Sequence, residues 1–185
     1  MNKNDLRIVK TKINIHQALL NILKNKTLAQ IKVTELCKEA SINRGTFYFH
    51  YEEIGDVFKE LFEKIMLDLQ DSYNEPYRHI TVLNVEKLDP KTVGIFQHVK
   101  KYEQFYRIVL SREVSTTYYY MLFDEIRSNF ISDKNTQVHG KVNDYFYSYT
   151  ANAFIGLIIE WHRRDFKESV EEMNVQLLNI VNLKV

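Results

Sequence analysis

The chain has 185 residues and a formal net charge of +1, with 45% hydrophobic and 26% charged residues, as is ordinary for a soluble globular protein. It has one cysteine, which excludes an intramolecular disulfide, and no apolar run reaches the ~18 residues that span a bilayer. Because the charged N-terminus also lacks the apolar core of a signal peptide, we expect a cytoplasmic protein that does not contact a membrane.

The charge is unevenly distributed along the chain. Residues 1–50 carry nine Lys and Arg against three Asp and Glu, whereas residues 51–185 carry sixteen against twenty-one. A basic N-terminal third on an acidic body favours an N-terminal module that binds a polyanion. Chance clustering of charged residues would produce the same pattern.

Apolar residues recur with a helical period along the chain, and no strand-like alternation stands out, so we predict an all-α fold. Only five glycines and two prolines interrupt it, which favours long helices. In chain order, the predicted helices span residues 5–24, 33–40, 44–50, 55–73, about 101–110, 115–131, 137–164 and 169–183, with a connection over 74–88.

Three helix starts have a local signal in the sequence. Asn43 is placed to cap the helix that follows it. Asp89 and Pro90 fit the N-cap and the first position of another helix. Ser169 and Glu172 have the spacing of a capping box, which predicts the start of the last helix.

Residues 33–51, VTELCKEASINRGTFYFHY, fit two short helices joined by a tight turn. Leu36, Cys37 and Ala40 form the inner face of the first helix, and Ala40 is small where the helices cross. Ile42 lies in the turn and can fill the core between them. This pattern predicts a helix-turn-helix, whose second helix enters the major groove of DNA.

The second helix begins with three residues suited to reading bases. Arg44 can pair bidentately with guanine, and Thr46 can offer a methyl to thymine or a hydroxyl to a phosphate. Gly45 has no side chain, so the backbone can approach DNA closely. The Asn43 side chain can accept a hydrogen bond from the amide of Gly45 or Thr46.

The rest of this helix divides between packing and phosphate contacts. Phe47 is expected to face the core, whereas Tyr48 and His50 can donate to phosphates, which position a protein without specifying sequence. Each of these residues alone is more often a surface or packing residue. The prediction therefore depends on their combination.

The segment INRGTFYFHY, preceded by VTELCKEA and an N-terminal helix, resembles the TetR-type family of bacterial transcriptional regulators over about residues 7–65. RGTFY followed by a His-aromatic pair carries the resemblance, and FIGLIIEWHRRDFKESVEEM resembles the junction of the last two helices in one subgroup. The resemblance implies a DNA-binding domain over residues 1–53 and a helical regulatory and dimerisation domain over residues 54–185.

Three positions depart from the family pattern. Lys32 stands where a Thr usually caps the first helix of the motif, so it can supply charge but not the cap, and Ser41 replaces the usual turn Gly. Ile54 replaces a common Lys at the start of the next helix, which removes one expected phosphate contact, and Lys59 can substitute for it. The predicted DNA-binding residues are Lys32, Thr34, Asn43, Arg44, Gly45, Thr46, Tyr48, His50 and Tyr51.

The resemblance also implies a mechanism. Two copies form a homodimer through the helices over 137–164 and 169–183, and their recognition helices reach a palindromic double-stranded DNA operator at a spacing of ~34–36 Å. A small molecule in the C-terminal domain shifts the helix over 55–73 and releases the DNA. The usual role in the family is that of a repressor, with an activator as the alternative. Control by a protein partner in place of the small molecule is the alternative.

The C-terminal domain is rich in aromatic residues, since sixteen of the twenty-four lie between Phe96 and Phe166. Neighbouring aromatics point to different helix faces, so some face a pocket or an interface; ordinary core and dimer packing is the alternative for each. The predicted ligand-binding residues are Phe96, Tyr102, Phe105, Tyr106, Tyr119, Phe123 and Trp161.

Enzymatic motifs are absent from the sequence. It contains no HExxH, no Gly-rich phosphate loop and no Cys/His cluster, and the six histidines include no pair at i, i+4. We therefore predict a protein that is not an enzyme and that has no metal or cofactor.

Gly156 lies inside a predicted helix, where it permits a close helix contact in the dimer or is merely tolerated.

Overall fold

The computed structural model describes residues 3–74, 93–111, 116–132 and 143–182, with side chains from residue 6 onward. Every regular element in these ranges is helical, which confirms the predicted all-α class. The α-helices are α1 (Lys3–Leu23), α2 (Val33–Glu39), α3 (Arg44–His50), α4 (Ile54–Asn74), α5 (Ile95–Lys101), α6 (Glu103–Val109), α7 (Thr116–Ser132), α8 (Asp144–Arg163) and α9 (Val170–Val181); a 3-10 turn spans Leu28–Gln30.

Most predicted helices agree with the structure to within two residues, and one prediction was wrong. The helix predicted near residues 101–110 is α6, which Tyr102 separates from α5 by leaving the helical conformation. The helix predicted to begin at Gln137 begins at Asp144, because Asn143 is extended and its side chain accepts from the Phe146 amide. The helix start predicted at residues 89–90 lies outside the described residues.

The chain divides into two compact units, residues 1–65 and 66–185. In the first, α1 packs on α2 and α2 on α3. Its fully buried side chains include Ile15, Leu36 and Phe47, one from each of these helices. Burial of such side chains stabilises the unit by roughly 1.5–3 kcal/mol each. Through Phe47 it fixes the short helix α3 against its neighbours in the unit.

The second unit is built on contacts of α7 with α8 and of α5 with α9. Phe105, Leu122 and Trp161 are among its fully buried side chains. The Ser169–Glu172 capping box predicted for α9 is present, with both hydrogen bonds formed. Among the helices in the described ranges, none combines the length and apolar character needed to cross a bilayer.

Candidate nucleic-acid interface

The turn between α2 and α3 is a hydrogen-bonded C-cap. The Ile42 amide donates to the Cys37 carbonyl at 2.9 Å, and the Ser41 amide donates to the Lys38 carbonyl at 3.2 Å, which is the Schellman pattern. Ser41 occupies the left-handed region, with φ of 56°. The turn therefore has a defined geometry, and it is formed with a residue that is strained at this φ.

Ser41→Gly is expected to raise the free energy of unfolding by about 0.5–1 kcal/mol. Glycine removes the left-handed strain, and this gain exceeds the added entropy of the unfolded chain. Chemical denaturation followed by circular dichroism measures the effect. The matched control is Ser128→Gly within α7, where the exposed serine is helical, and there the sign reverses to a loss of about 0.5 kcal/mol. A loss at Ser41 as well would contradict the strain argument.

The start of α3 is held by Asn43, as predicted. Its Oδ1 accepts from the Thr46 amide at 2.7 Å and from the Thr46 hydroxyl at 3.0 Å. A Cβ at position 45 would lie 3.3 Å from the same oxygen, so Gly45 leaves room for the cap. Asn43, Gly45 and Thr46 therefore form one local unit that fixes the N-terminus of α3.

Arg44 and Tyr48 form a pair on the exposed face of α3. The guanidinium lies 5.7 Å from the centroid of the Tyr48 ring, and Nη2 lies 3.5 Å from the Tyr48 hydroxyl. The hydrogen bond with Tyr48 raises the pKa of Arg44 above its ordinary value. The arginine is therefore charged, solvent-exposed and held near the first turn of the helix.

The structure puts Lys32 and Thr34 on the surface at the start of α2. Lys32 occupies the N-cap position and makes no side-chain cap hydrogen bond, as expected for a residue without an acceptor. His50 is half-buried, and its pKa is lowered by this burial and by Lys12, although Glu60 opposes the shift. At neutral pH its imidazole is therefore uncharged and offers a single N–H donor.

Tyr51 differs from the other predicted DNA-binding residues. It is only 5% exposed, and its hydroxyl lies 3.3 Å from Nε2 of His16 inside the N-terminal unit. A side chain enclosed in this way cannot reach a phosphate without leaving its partners. We therefore correct its assignment to a packing residue that anchors the end of α3.

Phe49 is an exposed aromatic residue that the sequence prediction omitted. It is 76% exposed on α3, whereas Phe47 and Tyr51 are buried on the opposite face. The helical period could have predicted this exposure. Phe47 and Tyr51 are four residues apart and share one face of α3, whereas Phe49 lies midway between them in sequence and therefore on the opposite face. An exposed phenyl ring on this helix can contact the methyl group of thymine.

The C-terminal unit contains a small apolar cavity of about 20 Å³. This volume holds about one water molecule, so it is far below the ~300 Å³ of an ordinary ligand pocket. None of the seven aromatic residues predicted to bind a ligand lines this cavity. Its lining residues are Leu69, Tyr73, Ile95, Ile126, Asn129, Phe130, Phe154 and Ile158.

Four of the seven predicted ligand-binding aromatics are core residues in the structure. Phe96, Phe105, Tyr106 and Trp161 are fully buried. The rings of Phe96 and Trp161 meet edge to face with centroids 5.7 Å apart, an arrangement that stabilises a core. Tyr102, Tyr119 and Phe123 are half-buried, and a role in ligand binding stays a prediction for all seven.

A buried polar cluster, which the sequence did not reveal, lies beside these aromatics. His98 is 1% exposed; its Nδ1 lies 2.7 Å from Oδ2 of Asp68 and its Nε2 lies 3.0 Å from the Tyr106 hydroxyl. Lys101 also binds Asp68. Burial lowers the pKa of His98, and Asp68 only partly opposes this shift. Neutral His98 therefore donates from Nδ1 to Asp68 and accepts at Nε2 from Tyr106.

The geometry of α2, the turn and α3 defines the chain as a helix-turn-helix protein. Within the described part of the chain, no three His, Cys, Asp or Glu side chains come together as a metal site requires. A family model described as the transcriptional regulator C-terminal region of the TetR type (TetR_C_8) matches residues 86–183. Since this match covers more than half of the chain, the protein belongs to the TetR-type family of transcriptional regulators.

Individual relatives are distant. The uncharacterized HTH-type transcriptional regulator YxbF of Bacillus subtilis (strain 168) is 19% identical over 170 residues, which cover 92% of this chain and 44% of that protein. The chain thus spans less than half the length of this curated relative. A TetR transcriptional regulator from Streptococcus agalactiae 2603V is 24% identical, with a TM-score of 0.61 over 96% of this chain and 97% of that chain.

A second solved structure shares the fold at lower identity. The transcriptional regulator FadR from Bacillus subtilis, in complex with stearoyl-CoA, is 12% identical, with a TM-score of 0.64 over 94% of this chain and 98% of that chain. At this identity the likeness concerns the fold alone. These three relatives are all transcriptional regulators.

Proposed function

We propose that the protein is a repressor that binds a palindromic DNA operator as a homodimer, with α3 in the major groove. The observation that carries this proposal is the exposed Arg44–Tyr48 pair on a capped helix that is firmly packed through Phe47. A pre-arranged arginine at the start of a recognition helix suits bidentate pairing with guanine. The exposed Lys32 and Thr34 lie at the start of α2, where phosphates are favoured.

Electrostatics support the same proposal. Residues 1–50 hold nine of the basic residues against three acidic ones, so phosphate attraction strengthens binding to any DNA. Such attraction releases counterions, and it weakens as salt rises. Sequence preference must therefore come from the few residues on α3 that reach base edges, with Arg44, Thr46 and the exposed Phe49 as the proposed set.

The proposal can be tested by incubating the protein with a pool of random DNA duplexes and sequencing the duplexes that it retains. We call the enriched sequence the selected duplex. We expect a sequence with two symmetric halves. Binding of the selected duplex is expected to exceed binding of a scrambled duplex by roughly 10³-fold or more, and both affinities should fall with salt. A folded dimer that enriches no sequence would contradict the proposal.

The homodimer is proposed to form through α8 and α9. The outer face of α8 exposes Tyr145 and Tyr149 near its start and Gly156 near its middle. Aromatic residues are favoured in protein interfaces. A Cβ at Gly156 would meet nothing within 4 Å, so packing inside one protomer does not explain a helical glycine, whereas close approach of a second copy does.

Gly156→Leu is expected to raise the dissociation constant of the dimer about tenfold or more. Extra side-chain volume in a packed contact costs about 1–3 kcal/mol, and sedimentation velocity measures the shift toward monomer. Ser128→Leu on the exposed face of α7 is the control and should leave the dimer unchanged. A Gly156→Leu protein that dimerises like the wild type would contradict this interface.

We further propose that a small apolar effector binds in the C-terminal unit and releases the DNA. The cavity there is apolar apart from Asn129, but its volume of about 20 Å³ requires its helices to separate before a ligand enters. The FadR structure, which holds stearoyl-CoA, makes fatty acyl compounds the first candidates. The test is to measure the unfolding temperature of the protein with each compound of a broad library, because a ligand that binds the folded state raises this temperature by mass action. If no compound raises it, control by a protein partner is favoured.

A further inference from the structure

His16 lies where three elements of the N-terminal unit meet. It comes from the middle of α1 and is 6% exposed. Among the side chains described in residues 6–65, it is the one buried group that can carry a positive charge. Burying such a group is costly unless it has polar partners, so the polar contacts of His16 are what offset this cost.

Two partners face the Nε2 atom of His16. The hydroxyl of Tyr51, the C-cap residue of α3, lies 3.3 Å away, and Oε1 of Glu60 on α4 lies 3.6 Å away. Lys12, one turn earlier on α1, binds Oε2 of Glu60 at 2.7 Å and lies 5.3 Å from the centroid of the Tyr51 ring. These four side chains connect α1, the end of α3 and α4.

Burial and the surrounding charges keep the His16 imidazole neutral at neutral pH. Burial lowers the pKa of His16 below its ordinary value of 6.5; Glu60 opposes this shift, while Lys64 and Lys12 add to it. Burial and Glu60 raise the pKa of the Tyr51 hydroxyl. Neutral His16 and the Tyr51 hydroxyl share one hydrogen bond at Nε2, whose direction follows the tautomer of His16, and this bond ties the end of α3 to α1.

We propose that His16 is a positioning residue of the DNA-binding surface, which sets the orientation of α3 through Tyr51 without touching DNA. This inference rests on the proposed function. Helix α3 has only seven residues, so a tilt at its end moves the whole face that carries Arg44 and Tyr48. Base pairing by arginine depends on that geometry, whereas attraction to phosphates does not.

Tyr51→Phe is the sharpest test, because the ring stays in its contact with Phe47 and only the hydroxyl is lost. We expect affinity for the selected duplex to fall about threefold to tenfold, the size of one hydrogen bond, with affinity for the scrambled duplex unchanged. His16→Gln should cause a similar loss, and the double variant should add little. In contrast, His50→Gln should lower both affinities alike.

Two further readouts separate positioning from packing. As pH falls below 6.5, protonation of His16 favours its contact with the Glu60 carboxylate over the Tyr51 hydroxyl, so the wild type should lose part of its preference for the selected duplex, whereas the low preference of His16→Gln should stay flat. In the DNA-free protein, amide hydrogen exchange at the end of α3 should be faster in both single variants.

Equal preference for the selected duplex in wild type, Tyr51→Phe and His16→Gln would overturn the inference, even if all three differ in stability. Unchanged hydrogen exchange at the end of α3 would overturn it without any DNA. If the wild type enriches no sequence, the proposed function fails instead. The exchange measurement then still decides whether the His16–Tyr51 bond holds α3.

Discussion

Arg44→Ala is expected to weaken binding of the selected duplex by about 1–3 kcal/mol, which is the usual contribution of one bidentate arginine–guanine pair. The side chain is exposed and makes its one described hydrogen bond, at 3.5 Å, with Tyr48, so its removal costs the folded protein little. Binding of the scrambled duplex should lose far less, because many other basic residues supply phosphate attraction. Fluorescence anisotropy with both duplexes at one salt concentration measures the two losses.

Tyr48→Phe is the matched contrast to Arg44→Ala. The substitution keeps the aromatic ring that lies beside the guanidinium and removes only the hydroxyl. We assign this hydroxyl a contact with a DNA phosphate. Affinity for both duplexes should therefore fall by a similar factor, with the sequence preference unchanged. Equal losses on both duplexes for Arg44→Ala would show that Arg44 contacts only phosphate, and the proposed assignment would then be wrong.

The second large effect is expected in the C-terminal unit. Tyr106→Phe should lower the free energy of unfolding by about 1–3 kcal/mol, because it leaves Nε2 of buried His98 without a donor. The ring volume is retained, so a cavity does not contribute. Thermal or chemical unfolding measures the loss. Tyr120→Phe is the control on an exposed tyrosine and should change stability by less than about 0.5 kcal/mol.

The same cluster predicts how stability depends on pH. The pKa of His98 in the folded protein lies below its ordinary 6.5, so the unfolded chain binds the proton more readily. The contribution of His98 is therefore complete above pH 6.5 and declines as pH falls below it. Asp68, Lys101, Tyr102 and Tyr106 surround the imidazole. Asp68 favours the protonated form and Lys101 disfavours it, and burial outweighs the effect of Asp68.

His98→Gln isolates this contribution. Wild-type stability measured by chemical denaturation should decline between pH 6.5 and 5, and the variant, which is less stable at pH 7, should decline less steeply. Asp68 acts in a separate range: although burial alone would raise its pKa, Lys101 and His98 lower it below 3.8, so its contribution disappears only in stronger acid. Equal slopes for wild type and His98→Gln would contradict the account of this cluster.

Local signals in the sequence predicted much of the DNA-binding motif. The caps at Asn43 and Ser169 follow from side chains that reach amides three residues away, and such contacts need no tertiary structure. The buried face of α2 follows from helical periodicity alone. The start of α8 was missed because the periodic pattern continues upstream of Asn143, whereas the Asn143 side chain caps the helix and fixes its start.

Contacts between distant residues could not be predicted in this way. His98 meets Asp68, thirty positions earlier, only because their helices pack together. Tyr51 was assigned to DNA because its neighbours fit that role, but His16, thirty-five positions earlier, holds its hydroxyl inside the unit. Aromatic enrichment likewise could not distinguish a core ring such as Trp161 from a ligand-binding one, since both environments favour the same residue types.

Sequence recognition by α3 is tested most directly by a hydroxyl-radical footprint of the wild-type protein on the selected duplex. We expect two protected half-sites related by symmetry, with centres about one helical turn apart, and loss of both footprints when Arg44 is replaced by alanine at the same protein concentration. Uniform protection along the duplex, or a discrete footprint that Arg44→Ala leaves intact, would contradict sequence recognition by α3.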